Sequence, residues 1–189
     1  MIPSRLAKWL LAIYGWKLQG NVPDIEKFVL IAAPHTANRD VLIMLLVAGA
    51  FNIRLRWLGK QETFRWPIFS WIMKRLGGIP VNRQQRSNVV STMAEIIKAA
   101  EGQFVLAISP EGTRKKTSQW KTGFYYIALQ AEVPVVCGFI DFKAGTTGVG
   151  PTIMPTGDIE ADMAEIRAFY APMEGKYHEK FSDMEVKNK

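Results

Sequence analysis

At 189 residues, 48% hydrophobic and 22% charged, the chain has the size and composition of one domain with a real core, which excludes disorder on a large scale. A single cysteine, Cys137, excludes an intrachain disulfide framework and suits a reducing compartment, and no apolar run approaches the roughly 20 residues that span a bilayer. The net charge of +7 is concentrated in residues 51–86, where Arg54, Arg56, Lys60, Arg65, Lys74, Arg75, Arg83 and Arg86 face one acid, Glu62; that face favours anionic partners, whether nucleic acid, lipid headgroups or phosphorylated small molecules.

Residues 5–17 set Leu6, Trp9, Leu10, Ile13 and Trp16 at helical spacing among Arg5, Lys8 and Lys17. This predicts an N-terminal amphipathic helix within residues 1–20, packed on the domain or lying on a membrane surface. No small-residue cleavage site follows it, so a signal peptide is not expected. Residues 20–24 read as a turn. Residues 28–33 are apolar without alternation, the mark of a strand buried on both faces, and Pro34 ends it. A helix is expected over 38–50, with Thr36 or Asn38 available as its cap.

A strand over 53–58 alternates Ile53, Leu55 and Trp57 with Arg54, Arg56 and Leu58. Pro67 is tolerated in a helix's first turn but not inside it, so a helix starts near Trp66, and Gly77-Gly78 ends it. There follow a short strand over 79–82, an amphipathic helix over 87–101 and a strand over 104–108. A polar, basic loop spans 111–119, and next come a helix over 120–131 and a buried strand over 134–140. The glycine-, threonine- and proline-rich residues 143–157 are expected to hold only a short strand at 152–154, before a last helix over 160–170. Residues 1–174 are read as one domain and 175–189 as a charged, loosely attached tail. Strands alternating with helices predict an α/β fold: a mostly parallel central sheet with helices on both faces, and sites at the carboxyl ends of its strands.

Three of those strand ends carry chemistry. At the first, His35 and Asp40 stand five apart, about 140° out of register on a continuous helix, so they meet only if His35 lies in the turn before the helix and Asp40 in its first turn. Pro34 favours that break. A neutral imidazole accepts a proton near pH 7, and a carboxylate on its other nitrogen fixes tautomer and orientation. At the second, Gly77-Gly78-Ile79-Pro80-Val81-Asn82-Arg83 puts an arginine after a strand inside the basic region. At the third, Ser109-Pro110-Glu111-Gly112-Thr113-Arg114 offers an acceptor, a backbone able to approach a ligand closely, and a planar cation suited to phosphate. Each segment alone reads as an ordinary surface turn.

In this order, the three resemble the blocks of the glycerolipid acyltransferases, the lysophosphatidic acid acyltransferase family. His35 to Asp40 matches its His-x4-Asp block, Gly78 to Arg83 its glycine-isoleucine-arginine block one residue tighter, and Pro110 to Arg114 its Pro-Glu-Gly-Thr-Arg block. Val133-Pro134-Val135-Val136 matches a fourth block. Lesser matches are Gly59-Lys60-x-Glu62 with Phe64 and Pro67, and Lys121-x-Gly123. Departures are Pro34 where asparagine is common, Asn82 where aspartate is common, and Cys137-Gly138 in place of a second proline.

The resemblance implies an acyltransferase in which His35 takes a proton from an acceptor hydroxyl as that oxygen attacks an acyl thioester. Asp40 holds the imidazole, and backbone N–H groups near 78–81 receive the oxyanion. Arg83, Arg114 and Lys60 bind acceptor phosphate; Gly112 and Thr113 belong to the same binding loop, and Glu111 orients an arginine or the acceptor hydroxyl. Acyl-CoA or acyl-carrier protein is the co-substrate, a lysophospholipid or another hydroxyl compound the acceptor, and no cofactor or metal is expected. Cys137 falls mid-strand, and no Gly-x-Ser-x-Gly elbow is present, so no nucleophile stands out. The Trp-, Arg- and Lys-rich residues 64–75 suit a membrane surface, which implies a small protein peripheral to the cytoplasmic face of a membrane. A non-catalytic lipid-binding module with the same fold would not require the base. Nucleic-acid binding lacks zinc spacing, a helix-turn-helix pattern or RNA-recognition aromatics.

Overall fold

A computed structural model describes residues 2–37, 39–81, 86–113, 115–177 and 184, with the backbone alone for 86–88. Asn38, Arg83, Arg114 and His178 lie outside the described residues, so the helix cap expected of Asn38 and the phosphate contacts expected of the two arginines fall there.

The chain builds a seven-stranded sheet from β1 (Lys17–Gln19), β2 (Lys27–Ala33), β3 (Leu55–Lys60), β4 (Gly78–Val81), β5 (Phe104–Ile108), β6 (Val135–Asp141) and β7 (Thr146–Ile153). Its spatial order is β1-β7-β6-β2-β5-β3-β4. Strands β6, β2, β5, β3 and β4 run parallel, β7 runs antiparallel to β6, and β1 parallel to β7. The helices are α1 (Ser4–Ile13), α2 (Arg39–Ala50), α3 (Pro67–Arg75), α4 (Arg86–Ala99), α5 (Gly123–Ala131) and α6 (Ile159–Tyr170), with one 3₁₀ turn at Gln61–Phe64.

The apolar runs without alternation have a direct cause. In β2, Val29, Ile31 and Ala33 join the core under α4, α5 and α6, with Met93, Ile97, Phe124 and Ile166. Phe28 and Leu30 face the other way, against Ala48 of α2 with Ile53 and Val105. Helix α1 then covers α2 through Ala7, Leu11, Ile43 and Leu46. Each fully buried Leu, Ile or Phe side chain contributes about 1.5–3 kcal/mol, so a strand covered on both faces must be apolar at every position.

Four expectations need correction. The N-terminal helix stops at Ile13, and Gly15 adopts φ +78°, a left-handed conformation that turns the chain so that Lys17–Gln19 pairs with Thr146–Gly148 as a strand. Strand β7 spans eight residues instead of three. Its glycines and Pro151 read as breakers, but Gly150 is there because the ring of Phe169 occupies the space a Cβ would need. Helix α5 starts at Gly123; Trp120, expected inside it, lies before it and is buried with its ring 5.6 Å from Tyr170. Also, residues 175–177, assigned to the tail, pack on the turn after β2. Among the described residues no helix is long and apolar enough to cross a membrane.

Because five strands are parallel, their carboxyl ends share one edge of the sheet. His35 follows β2, Lys60 ends β3, Val81 ends β4 and Glu111 follows β5.

Candidate active site

The turn between β2 and α2 places the two groups that a continuous helix would separate. Helix α2 begins only at Arg39, so His35 lies in the turn and Asp40 in the first turn of the helix. His35 Nδ1 is 3.5 Å from Asp40 Oδ2, with the His35 side chain 24% exposed and Asp40 buried. The same Oδ2 accepts hydrogen bonds from the N–H groups of Thr36, at 2.8 Å, and Ala37, at 2.7 Å. Asp40 therefore closes the turn and faces the imidazole at once, and its charge suits the helix N-terminus. With Nδ1 toward Asp40, Nε2 is the ring nitrogen left to accept a proton.

Glu111 holds the turn from a second strand end. Its carboxyl is 1% exposed, and Oε2 accepts the His35 N–H at 3.0 Å. All three N–H groups of 35–37 thus bind carboxyl oxygens. Among the described residues, the hydrogen bond of Glu111 is to the His35 backbone. Burial pushes the Glu111 carboxyl from 4.5 up to about 8; the His35 N–H opposes this and the Asp40 charge adds to it. At neutral pH Glu111 is mostly protonated.

This has a measurable consequence. Below 4.5 both folded and unfolded chains keep the Glu111 proton; between there and about 8 the unfolded chain loses it first, so stability falls as pH rises and the loss is complete above about 8. Glu111→Gln copies the protonated carboxyl and removes this dependence. Its melting temperature is expected to approach wild type near about pH 5 and to exceed it by about 5 °C or more above about pH 8, read by thermal denaturation across pH.

A cavity of about 1160 Å³ opens at this edge. His35, Asp40, Lys60, Gly112 and Thr113 line it, so the structure brings together these sequence-predicted residues, with Glu111 directly behind His35. The cavity extends between α2 and the sheet, where Leu30, Met44, Ile53 and Leu55 make its wall apolar. Gly112 has φ +62°, and a Cβ there would collide with the Lys121 ammonium. Lys121 also lines the cavity. Its Lys-x-Gly spacing before a helix was the available signal, but no local pattern places it at Gly112.

Ser109, from the same segment as Glu111, and Trp120, which had no local signal, also line the cavity. Among the described residues, the buried side-chain polar atoms without a hydrogen-bond partner are Asp40 Oδ1, Ser109 Oγ, Glu111 Oε1 and Trp120 Nε1. Asp40, Ser109 and Trp120 line the cavity, and Glu111 stands behind His35. Cys137 is fully buried in β6, and burial pushes its thiol up to about 12, which disfavours a thiolate nucleophile.

The Acyltransferase family model matches residues 17–140. The chain is 31% identical over 142 residues to a 1-acyl-sn-glycerol-3-phosphate acyltransferase of Cocos nucifera, covering 71% of this chain and 44% of that protein. It is 30% identical over 120 residues to a protein described in the same words from Chlamydomonas reinhardtii, covering 61% of this chain and 35% of that one. The chain thus spans less than half the length of these curated relatives. Among solved structures it is similar to the 1-acyl-sn-glycerophosphate (LPA) acyltransferase PlsC from Thermotoga maritima. The TM-score is 0.55 at 18% identity, over 87% of this chain and 78% of that one, a likeness of fold.

Proposed function

Because the chain belongs to the Acyltransferase family, we propose that it moves a fatty acyl group from an acyl thioester to a hydroxyl of a glycerophospholipid-type acceptor such as lysophosphatidic acid. The observation that carries this reading is the His35–Asp40 pair at the wall of a cavity that also presents Lys60, Lys121 and an apolar recess.

His35 Nε2 takes the proton from the acceptor hydroxyl as its oxygen attacks the thioester carbonyl. The tetrahedral intermediate collapses, the C–S bond breaks, and the thiolate takes the proton back from the imidazolium. Ester and free thiol result, with no covalent enzyme intermediate. Asp40 orients Nδ1 and stabilises the imidazolium, at a distance that tightens when substrate excludes water. Lys60 and Lys121 meet acceptor phosphate together with Arg83 and Arg114, and Thr113 and the Gly112 backbone shape that loop. Backbone N–H groups at the end of β4, where Val81 reaches the cavity, receive the oxyanion. The apolar recess takes the acyl chain. Acyl-CoA and acyl-carrier protein both fit this chemistry as donors.

The test is thiol release from long-chain acyl-CoA and from acyl-carrier protein, with lysophosphatidic acid, glycerol 3-phosphate and a neutral lysolipid as acceptors and mass spectrometry of the products. Release that requires a phosphorylated acceptor and yields its ester supports the reading. Binding of lipid without thiol release with any acceptor would assign the fold to a lipid-binding role instead.

A lipid acceptor puts the reaction at a membrane, and the lone, buried cysteine suits its reducing, cytoplasmic side. Helix α3 is the docking element of this proposal. None of its residues is buried; Ile68 and Trp71 are 79% and 60% exposed, its cap Trp66 76%, and Arg65, Lys74 and Arg75 flank them. Met73 and Leu76 from the same segment line the cavity. Co-sedimentation with vesicles containing phosphatidylglycerol is expected to exceed that with pure phosphatidylcholine, and Trp66→Ala with Trp71→Ala to weaken it about tenfold or more. Unchanged binding in that double variant, with loss in Trp9→Ala, would move the docking surface to α1.

A further inference from the structure

The family match ends at Ile140, yet the chain beyond it returns to the His35 turn. At the end of α6, the hydroxyl of Tyr170 donates to the Gly138 carbonyl at 2.8 Å, and Met173 beyond it is buried in the core. Glu174 is then fastened to the end of β6. Its N–H donates to Asp141 Oδ1 at 3.2 Å, its carbonyl accepts from the Phe142 N–H at 2.9 Å, and its carboxylate pairs with Lys143. Asp141 Oδ1 also accepts the N–H groups of Lys143 and Ala144.

So anchored, the next residues lie directly on the turn. A Cβ at Gly175 would stand 2.6 Å from Thr36 Cγ2, 2.9 Å from Thr36 Oγ1 and 3.3 Å from Pro34 Cβ. Thr36 is 2% exposed, so its short side chain has nowhere to move. The Tyr177 N–H donates to Thr36 Oγ1 at 3.4 Å, a long bond that adds to the contact. Thr36 is also one of the two residues whose N–H groups hold Asp40 Oδ2.

We propose that residues 174–177 form a strap that positions the His35 turn, with Gly175 as the positioning residue, because only a residue without Cβ lets the strap lie against Pro34 and Thr36. The turn is then fixed from three sides: Asp40 binds two of its N–H groups, Glu111 binds a third, and the strap covers the Thr36 side chain. The inference rests on the roles given to His35 and Asp40 above. Its physical content is that crowding at Gly175 displaces Thr36 and so misaims Asp40. A displacement of about 1 Å at such a distance costs up to about a hundredfold in rate.

The experiment compares Gly175→Ala, Gly175→Ala with Thr36→Ser, and Asp141→Ala. The double variant removes Cγ2, the atom nearest the new methyl; Asp141→Ala loosens the strap without crowding the turn. Each is read by kcat and KM for the acyl donor, by melting temperature and by the His35 Cε1–H NMR resonance. The protein has two histidines, so loss of one signal in His35→Ala assigns it. Gly175→Ala is expected to lower kcat about tenfold or more with KM within about twofold, to move the His35 resonance and to melt within a few degrees of wild type. The double variant is expected to recover most of the rate and return the resonance. Asp141→Ala is expected to move the resonance and lower kcat several-fold. Wild-type kcat with an unmoved resonance in both Gly175→Ala and Asp141→Ala would overturn the strap. So would a parallel loss of rate and melting temperature that Thr36→Ser does not relieve. If the wild type transfers no acyl group, the functional reading fails, while the resonance still reports whether the strap holds the His35 turn.

Discussion

His35→Ala is expected to lower kcat for acceptor-dependent thiol release by about three orders of magnitude, the range lost with a general base. The fold is expected to survive. The ring is partly exposed, and its backbone N–H bond to Glu111 does not need the side chain. KM for either substrate should change little, because the imidazole acts on a proton that moves in the transition state rather than binding the ground state. The measurement is steady-state kinetics beside a thermal melt. A drop of less than about tenfold with a normal melt would remove His35 from the proton transfer.

The second large effect is at Asp40, where two substitutions separate two jobs. In Asp40→Asn the amide oxygen can stay where Oδ2 is and keep both N–H bonds from Thr36 and Ala37, with the amide nitrogen taking the place of Oδ1, which has no partner among the described residues. The turn persists but the charge beside His35 is gone. kcat is expected to fall about 10²- to 10³-fold with a melt close to wild type. Asp40→Ala leaves two buried N–H groups without an acceptor and is expected to cost a further ~2–4 kcal/mol of stability. Equal kinetics for asparagine and wild type would mean that the carboxylate serves the turn alone.

How much of this was legible in the sequence depends on how far apart the partners lie. His35 and Asp40 fall within six residues, and Pro34 signalled the break that lets them meet; the 3.5 Å contact follows from local chain geometry. Glu111 stood out by type, but its partner did not. The His35 N–H is 76 residues away, and the two meet because β2 and β5 are neighbours with Ile31 opposite Ile108, a register no local pattern encodes. The strap lies further beyond reach. Gly175 and Tyr177 sit in a polar stretch without periodicity, and the Thr36 they contact is 141 residues from Tyr177. Strand β7 was hidden by its glycines, which serve close packing against Phe169 and β1 and read locally as turns. Helix α3 was legible because Pro67 fixes its start, and its unburied apolar face follows from its place beside the edge strand β4.

In the proposed reaction the acyl group passes from thioester to hydroxyl in one displacement. Cys137 is buried with its thiol pushed up to about 12, and Ser109 is a buried hydroxyl on the cavity wall that would serve a two-step route. Intact-mass measurement of the protein, quenched during turnover with acyl thioester in the absence and presence of lysophosphatidic acid, separates the routes. A single displacement predicts unmodified protein in both samples and thiol release only when acceptor is present. A protein heavier by one acyl group, with a burst of thiol before acceptor is added, would contradict it.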